Sequence, residues 1–357
     1  MHLLRRPLLA LLACAACLAS GACALTEVTS ADGEDVLVAE AVLRADRFEQ
    51  RILLHRTLRG RTVAGEPGAR VVVRSESGRE VVFREASQSL CVEPSSGVLR
   101  GEDSLRVEAT CYRSAPQEGR WVVPGRSYTL EIESQRGERL RGTTRVPGDF
   151  DLLGLSRAFR DPATGDRRCT LPPDTPLELT WSTSRGTWAY LTEMEIRGLP
   201  GALAGRGIRD IPDPLQLTGV SVSETDTTVL VPTEVGVFER FSYDQELLRA
   251  IQNGFPAGVQ VRLVVAATDR NFVNSVRGGA FNPSGTVRIS SVVGDGVGVF
   301  GSVYARTLLV DVFAQTGAFP CLGPGRQVPG KDPLQRPANR AGLFRRPRTP
   351  GLPPYMV

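Results

Sequence analysis

The side chains best equipped for chemistry in this sequence are seven cysteines, two histidines and several closely spaced carboxylates. His55 is the only histidine beyond the first few residues, and it falls in the strand-like run 50–58 (QRILLHRTL). A lone imidazole has the right pKa for a general base. No G-x-S-x-G elbow accompanies it, and no free cysteine remains once the later cysteines pair, so no nucleophile is marked for it to activate. It reads as a partly exposed strand histidine. Of the acid pairs, Glu193 and Glu195 alternate onto one strand face, expected to be the solvated one, and Asp210/Asp213 sit in a loop. Asp149 and Asp151 flank a junction where a structural Ca²⁺ is conceivable. Paired glycosidase acids meet only in three dimensions, so spacing cannot identify them. Gly296-Val297-Gly298-Val299-Phe300-Gly301 matches G-x-G-x-x-G. A dinucleotide site requires a helix after that motif, and an acid about 20 residues on. Here the β-rich run 303–313 follows and apolar residues surround Ala318, so the expectation is a glycine bend or a close backbone approach. Neither a cofactor nor a metal is expected.

The cysteines carry more information. Residues 1–9 hold Arg5 and Arg6 and no acid, positions 8–19 are apolar (LLALLACAACLA), and Ser20-Gly21-Ala22 precede Cys23. A positive start, a short apolar run and small residues make a secretory signal, too short to span a bilayer, which takes about 20 residues. Small residues directly before a cysteine resemble the lipobox of bacterial lipoproteins, which makes Cys23 the expected lipid anchor. Cys14 and Cys17 are the alternatives for the lipid, and cleavage after Ala22-Cys23-Ala24 is the alternative for plain secretion. The expected address is the cell envelope, lipid-anchored at the outer membrane. Cys91, Cys111, Cys169 and Cys321 then remain, an even number in an oxidising compartment. Four cysteines allow three pairings. Cys91–Cys111 as a local staple and Cys169–Cys321 as a long clasp are preferred. A zinc site is not expected, with no C-x-x-C beyond the leader and one histidine.

Period-two alternation and turn signals define the elements that must position these residues. Leu105, Val107, Ala109 and Cys111 alternate with polar neighbours, as do Tyr128, Leu130 and Ile132, and turns fall at Ser77-Gly78, Pro124-Gly125 and Arg136-Gly137. The fold class expected is mainly β. An antiparallel Ig-like β-sandwich occupies 24–148, and a second mostly-β domain with two short helices occupies 149–321. One helix follows a Ser242/Gln245 capping box and the other covers 269–276. Residues 322–357 hold 8 Pro, 5 Gly and seven basic residues against one acid, and are expected to be a disordered tail. The chain of 357 residues has a formal charge of +4, but residues 24–321 carry 34 basic and 38 acidic side chains. The positive charge resides at the ends, so no nucleic-acid partner is expected.

Several segments recur in a characteristic order: a lipobox-like Cys23, residues 36–44 (VLVAEAVLR), residues 67–73 (PGARVVV), residues 124–130 (PGRSYTL), Val146-Pro147 and residues 292–302 (VVGDGVGVFGS). This order resembles the bacterial lipoproteins grouped as domain of unknown function 4249 (DUF4249). The resemblance spans about residues 23–313 and implies an outer-membrane lipoprotein accompanying a TonB-dependent transporter. It transfers no catalytic residue. The function expected is therefore non-catalytic binding, with Trp181, Trp188 and Tyr190 as candidate contact residues because aromatics are favoured at binding surfaces. A hydrolase with carboxylates in the second domain and a purely structural envelope component are the alternatives.

Overall fold

The computed structural model describes residues 35–57, 64–91, 109–221, 223–236, 245–278, 290–313 and 319–321. The leader with Cys23, Leu105 and Val107, the Ser242 half of the capping box and the 322–357 tail lie outside the described residues. The chain is mainly β, as its alternation predicts. The N-terminal strands are β1 (Leu37–Arg44), β2 (Arg51–Arg56), β3 (Arg70–Ser75), β4 (Glu80–Ala86), β5 (Thr110–Arg113), β6 (Ser127–Glu133) and β7 (Arg139–Arg145). Then come β8 (Leu152–Leu153), β9 (Phe159–Arg160), β10 (Arg167–Leu171), β11 (Leu177–Trp181), β12 (Ala189–Arg197), helix α1 (Leu199–Ala202), β13 (Leu215–Val220) and β14 (Thr228–Val231). Helix α2 (Gln245–Ile251), β15 (Gln260–Thr268), helix α3 (Arg270–Gly278), β16 (Val292–Gly294) and β17 (Gly296–Val312) complete the described elements.

The sandwich forms because its strands alternate. β6 buries Tyr128, Leu130 and Ile132, and β7 buries Leu140, Gly142 and Thr144, while the residues between face outward. One layer runs β17-β1-β2-β5 and the other β3-β6-β7-β16. β4 joins them on one side: its first residues pair with β3 and its last three with β5. On the other side the chain crosses at Asp295, from β16 on β7 to β17 on β1.

The two sequence regions share a sheet through β17. Its first half pairs in parallel with β1, from Leu37↔Gly296 to Arg44↔Val303. Its second half lies between antiparallel β15 on one edge and parallel β10 on the other. Beyond β15 the sheet continues through β12 to β13, and a small sheet β14-β11-β8 packs against it. Parallel pairs need long crossovers, and β1 and β17 lie more than 250 residues apart, so alternation could not reveal that contact. One hydrophobic core runs through both regions, with Phe300, Tyr304, Leu308 and Val310 of β17 on its wall. On the opposite face, Phe272 of α3 covers Leu191, Val264, Ala266, Val303 and Ala305. Of the three α-helices described, α2 and α3 match the two expected and α1 is an additional single turn.

A buried ion cluster pins the start of the sandwich. Arg56, 3% exposed, donates to Glu66 at 2.6 Å and to both carboxylate oxygens of Glu138, and Asp35 lies 4.0 Å away. Arg56→Ala would leave Glu66 buried beside no guanidinium, and is expected to cost about 3 kcal/mol in urea unfolding. The hydrogen bond from Arg56 holds Glu138 below the ordinary glutamate pKa despite some burial. This contribution is present above pH about 4.3 and is lost as pH falls through the depressed value.

Candidate functional site

The glycine motif lies wholly within strand β17 and has a packing role. A Cβ on Gly296 would come within 2.2 Å of the Leu37 carbonyl oxygen, and one on Gly298 within 2.0 Å of that of Ala39. Gly301 lies under Phe272 of α3, with a Cβ position 2.9 Å from that residue's backbone nitrogen. The glycines admit β1 and α3 at close range. No helix start follows the motif to receive a pyrophosphate.

Asp149, Asp151 and Asp213 each have a partner. Asp149 accepts from Arg306 at 2.8 Å, and Asp151 from Arg167 at 2.8 Å and Arg160 at 3.3 Å. Burial pushes the Asp151 carboxyl up, but the hydrogen bond and charge of Arg167, aided by Arg160, hold it below its ordinary value. Asp213 accepts the Gly198 N–H at 3.0 Å. Among the described residues no group of three or more His, Cys, Asp or Glu side chains is placed to hold a metal ion. His55 is largely buried on β2, with Nε2 3.6 Å from Glu40.

Glu193 and Glu195 correct the expectation of a solvated face: they are 5% and 6% exposed. They lie on the sheet face opposite the main core, where Arg262 pairs across from Glu195 and Thr218 from Glu193. Glu195 accepts from Arg197 at 2.6 Å. A cavity of about 10 Å³ lies among Glu193, Glu195, Gln216, Thr218 and Arg262, room for a single water. Alternation alone assigned the face; it could not say that neighbouring strands would bury both faces.

The aromatic candidates divide. Trp181 and Tyr190 are buried core residues, 5.4 Å apart edge to face, and Tyr190 also packs against Phe150. The Tyr190 hydroxyl accepts the Ser184 N–H at 2.7 Å. Neither side chain presents a surface to a partner, because both are packed inside the main core. Trp188 is 47% exposed beneath the Arg270 guanidinium, 5.2 Å from its ring centroid. Cys91 is bonded to Cys111 and Cys169 to Cys321, with Cα separations of 5.7 and 4.9 Å.

An apolar surface that the sequence did not mark lies where β17 ends. Phe159 of β9 and Phe319 meet along the outer edge of β10, ring centroids 5.8 Å apart. The Phe319 carbonyl accepts the Thr170 N–H at 2.7 Å. Leu309 and Phe313, on β17 and just beyond it, are also exposed. Arg168 bridges the two sides of this surface: it pairs with Phe159 and Leu309 in register and donates to Asp311 at 2.7 Å. Cys169–Cys321 ties the chain here. Phe159 and Phe319 stand alone in sequence, so no periodic signal pointed to them.

This is a mainly β protein built on a large mixed sheet with a small three-stranded sheet beside it, its exterior rich in arginine pairs. The chain matches no protein-family model and no curated protein. Among solved structures it is similar to the fibronectin(III)-like modules of Clostridium thermocellum CbhA, at 6% identity and a TM-score of 0.18, covering 77% of this chain and 91% of that one. A Salmonella alpha-2-macroglobulin mutant aligns at 9% identity and a TM-score of 0.19, and trypsin-activated Escherichia coli alpha-2-macroglobulin at 9% and 0.17. Those two alignments cover 82% and 81% of this chain but 16% of each macroglobulin. Superpositions this loose carry no argument about function.

Proposed function

We propose that this protein is a lipid-anchored envelope protein that binds a partner without catalysis, accompanying an outer-membrane transporter. One observation carries the reading. β17 separates the N-terminal start of the fold, where Leu37 pairs with Gly296, from the exposed Phe159/Phe319 surface beside Cys169, which pairs with Val310. At about 3.3 Å per residue the strand sets these points about 45 Å apart. An anchor at Cys23 would join the first end, leaving the aromatic surface at the far end to meet the transporter's extramembrane part. Exposed apolar surface of this kind marks interaction sites. Among the described residues no helix is long and apolar enough to cross a membrane.

Labelling with radioactive palmitate is expected to mark the wild type and to disappear in Cys23→Ala. A wild type that takes no label and fractionates as soluble would refute the anchor. Affinity purification of the anchored protein should recover a transporter. Phe159→Ser with Phe319→Ser should lose it while unfolding shifts by only about 0.5 kcal/mol, as for surface substitutions. Equal recovery by that variant would sink the role of the far surface.

A further inference from the structure

Where the sandwich meets the second region, four oxygens stand in line with too few hydroxyl protons between them. Asp269 follows β15 and precedes α3, and its carboxylate is buried. Oδ1 accepts the Phe272 N–H at 2.9 Å and the Ser302 N–H at 3.1 Å. Oδ2 lies 2.6 Å from Thr144 Oγ1 on β7, which lies 2.8 Å from Ser302 Oγ on β17. Ser302 Oγ in turn donates to the Arg145 carbonyl at 3.1 Å. Three oxygen-to-oxygen contacts need three protons, and the two hydroxyls supply two. With Ser302 committed to the Arg145 carbonyl, Thr144 can donate to Ser302 or to Asp269, but not to both. An ionised Asp269 therefore leaves one contact with lone pairs opposed.

We propose that Asp269 is a proton-operated latch between the two regions. In its carboxylic acid form Oδ2–H donates to Thr144, Thr144 to Ser302 and Ser302 to Arg145, while Oδ1 keeps both backbone N–H groups. The acid form fills every contact, so folding holds this proton to a pH well above that at which an exposed aspartate ionises. Charge nearby does not oppose this. Among the described residues the arginines of the surrounding elements are engaged elsewhere or exposed: Arg44 with Asp46, Arg306 with Asp149, Arg270 over Trp188, and Arg145 facing outward. Burial pushes the Asp269 carboxyl up, against hydrogen bonds from Thr144, Phe272, Ser302 and Asn271 that pull it down, and the net direction is upward.

The folded state holds this proton more tightly than the unfolded chain, so the latch contributes fully below pH about 3.9 and is lost as pH rises through the folded pKa. The test is carboxyl ¹³C NMR of the full chain labelled at aspartate, with Asp269→Asn to assign the resonance. Its midpoint is expected above those of the exposed aspartates. Amide exchange at Phe272 should quicken above that midpoint. A midpoint at or below the exposed range would overturn the proposal. Unfolding gives a second readout, since the carboxamide introduced by Asp269→Asn supplies a permanent donor to Thr144. The stability of wild type relative to Asp269→Asn should fall between pH 4 and pH 8, and a rise would refute the latch. Should Asp269→Asn fail to fold, Thr144→Val assigns the resonance by its shift and the midpoint decides.

Discussion

Replacing Cys169 and Cys321 together with serine is expected to lower stability by about 5 kcal/mol in denaturant unfolding. The bond closes a loop of 152 residues, and in the chain-entropy model a cross-link of that span removes about 5 kcal/mol of freedom from the unfolded chain. The folded structure gives the bond little to distort. Cys169 lies in β10, held to β17 opposite Val310, and the Cys321 N–H already donates to the Thr170 carbonyl at 2.9 Å. Cys91–Cys111 closes only 20 residues, and its loss should cost about 3 kcal/mol by the same relation. The order of the two losses is the check. A greater loss from the short loop than from the long one would mean that strain or unfolded-state structure, and not loop closure, governs both. The larger loss should also release the Phe159/Phe319 contact, because Phe319 is held to β10 two residues from the disulfide.

Gly298→Val should be the most damaging single substitution in the glycine motif. Gly298 has φ +148, and its Cβ position lies 2.0 Å from the Ala39 oxygen and 2.7 Å from its nitrogen. A β-branched side chain there must push β1 off β17, since backbone atoms of a central strand cannot step aside. The expected loss is about 4 kcal/mol, in the range of severe backbone and packing defects. Amide exchange across residues 37–44 should accelerate more than across β12 and β13. Gly201→Ala is the control. Its Cβ position meets nothing within 4 Å and its φ is ordinary, so alanine in α1 should be neutral or slightly stabilising. If both substitutions cost the same, close approach to β1 is not the motif's role.

The aromatic residues show how far local pattern reaches. Alternation across 187–196 puts Trp188, Tyr190, Met194 and Ile196 on one strand face, and β12 contains the last three. The same alternation suits a core and a binding surface equally, and burial alone separates Tyr190 from Trp188. Phe159 and Phe319 carry no periodic signal at all. They meet because β9 and the segment before Cys321 both line β10, contacts set by strands distant in sequence. Glu193 and Glu195 were legible as a pair on one face, but their burial depends on β13 and β15 alongside them. Asp269 carries no signal in sequence: its role follows from Thr144 and Ser302, 125 and 158 residues apart from their partners in this network.

That this protein is mainly β, where most of its strands lie and which cysteines pair most economically are all legible in its residues. Those properties are local or combinatorial: side chains alternate with period two, turns require glycine or proline, and short loops close readily. The parallel joining of β1 to β17, the sharing of one sheet by both regions, and the burial of Glu193, Glu195, Trp181 and Tyr190 depend on contacts between distant strands. Period two records that a strand has two faces without naming its neighbours. The neighbour is chosen by packing across hundreds of residues, and the burial of every candidate side chain follows from that choice.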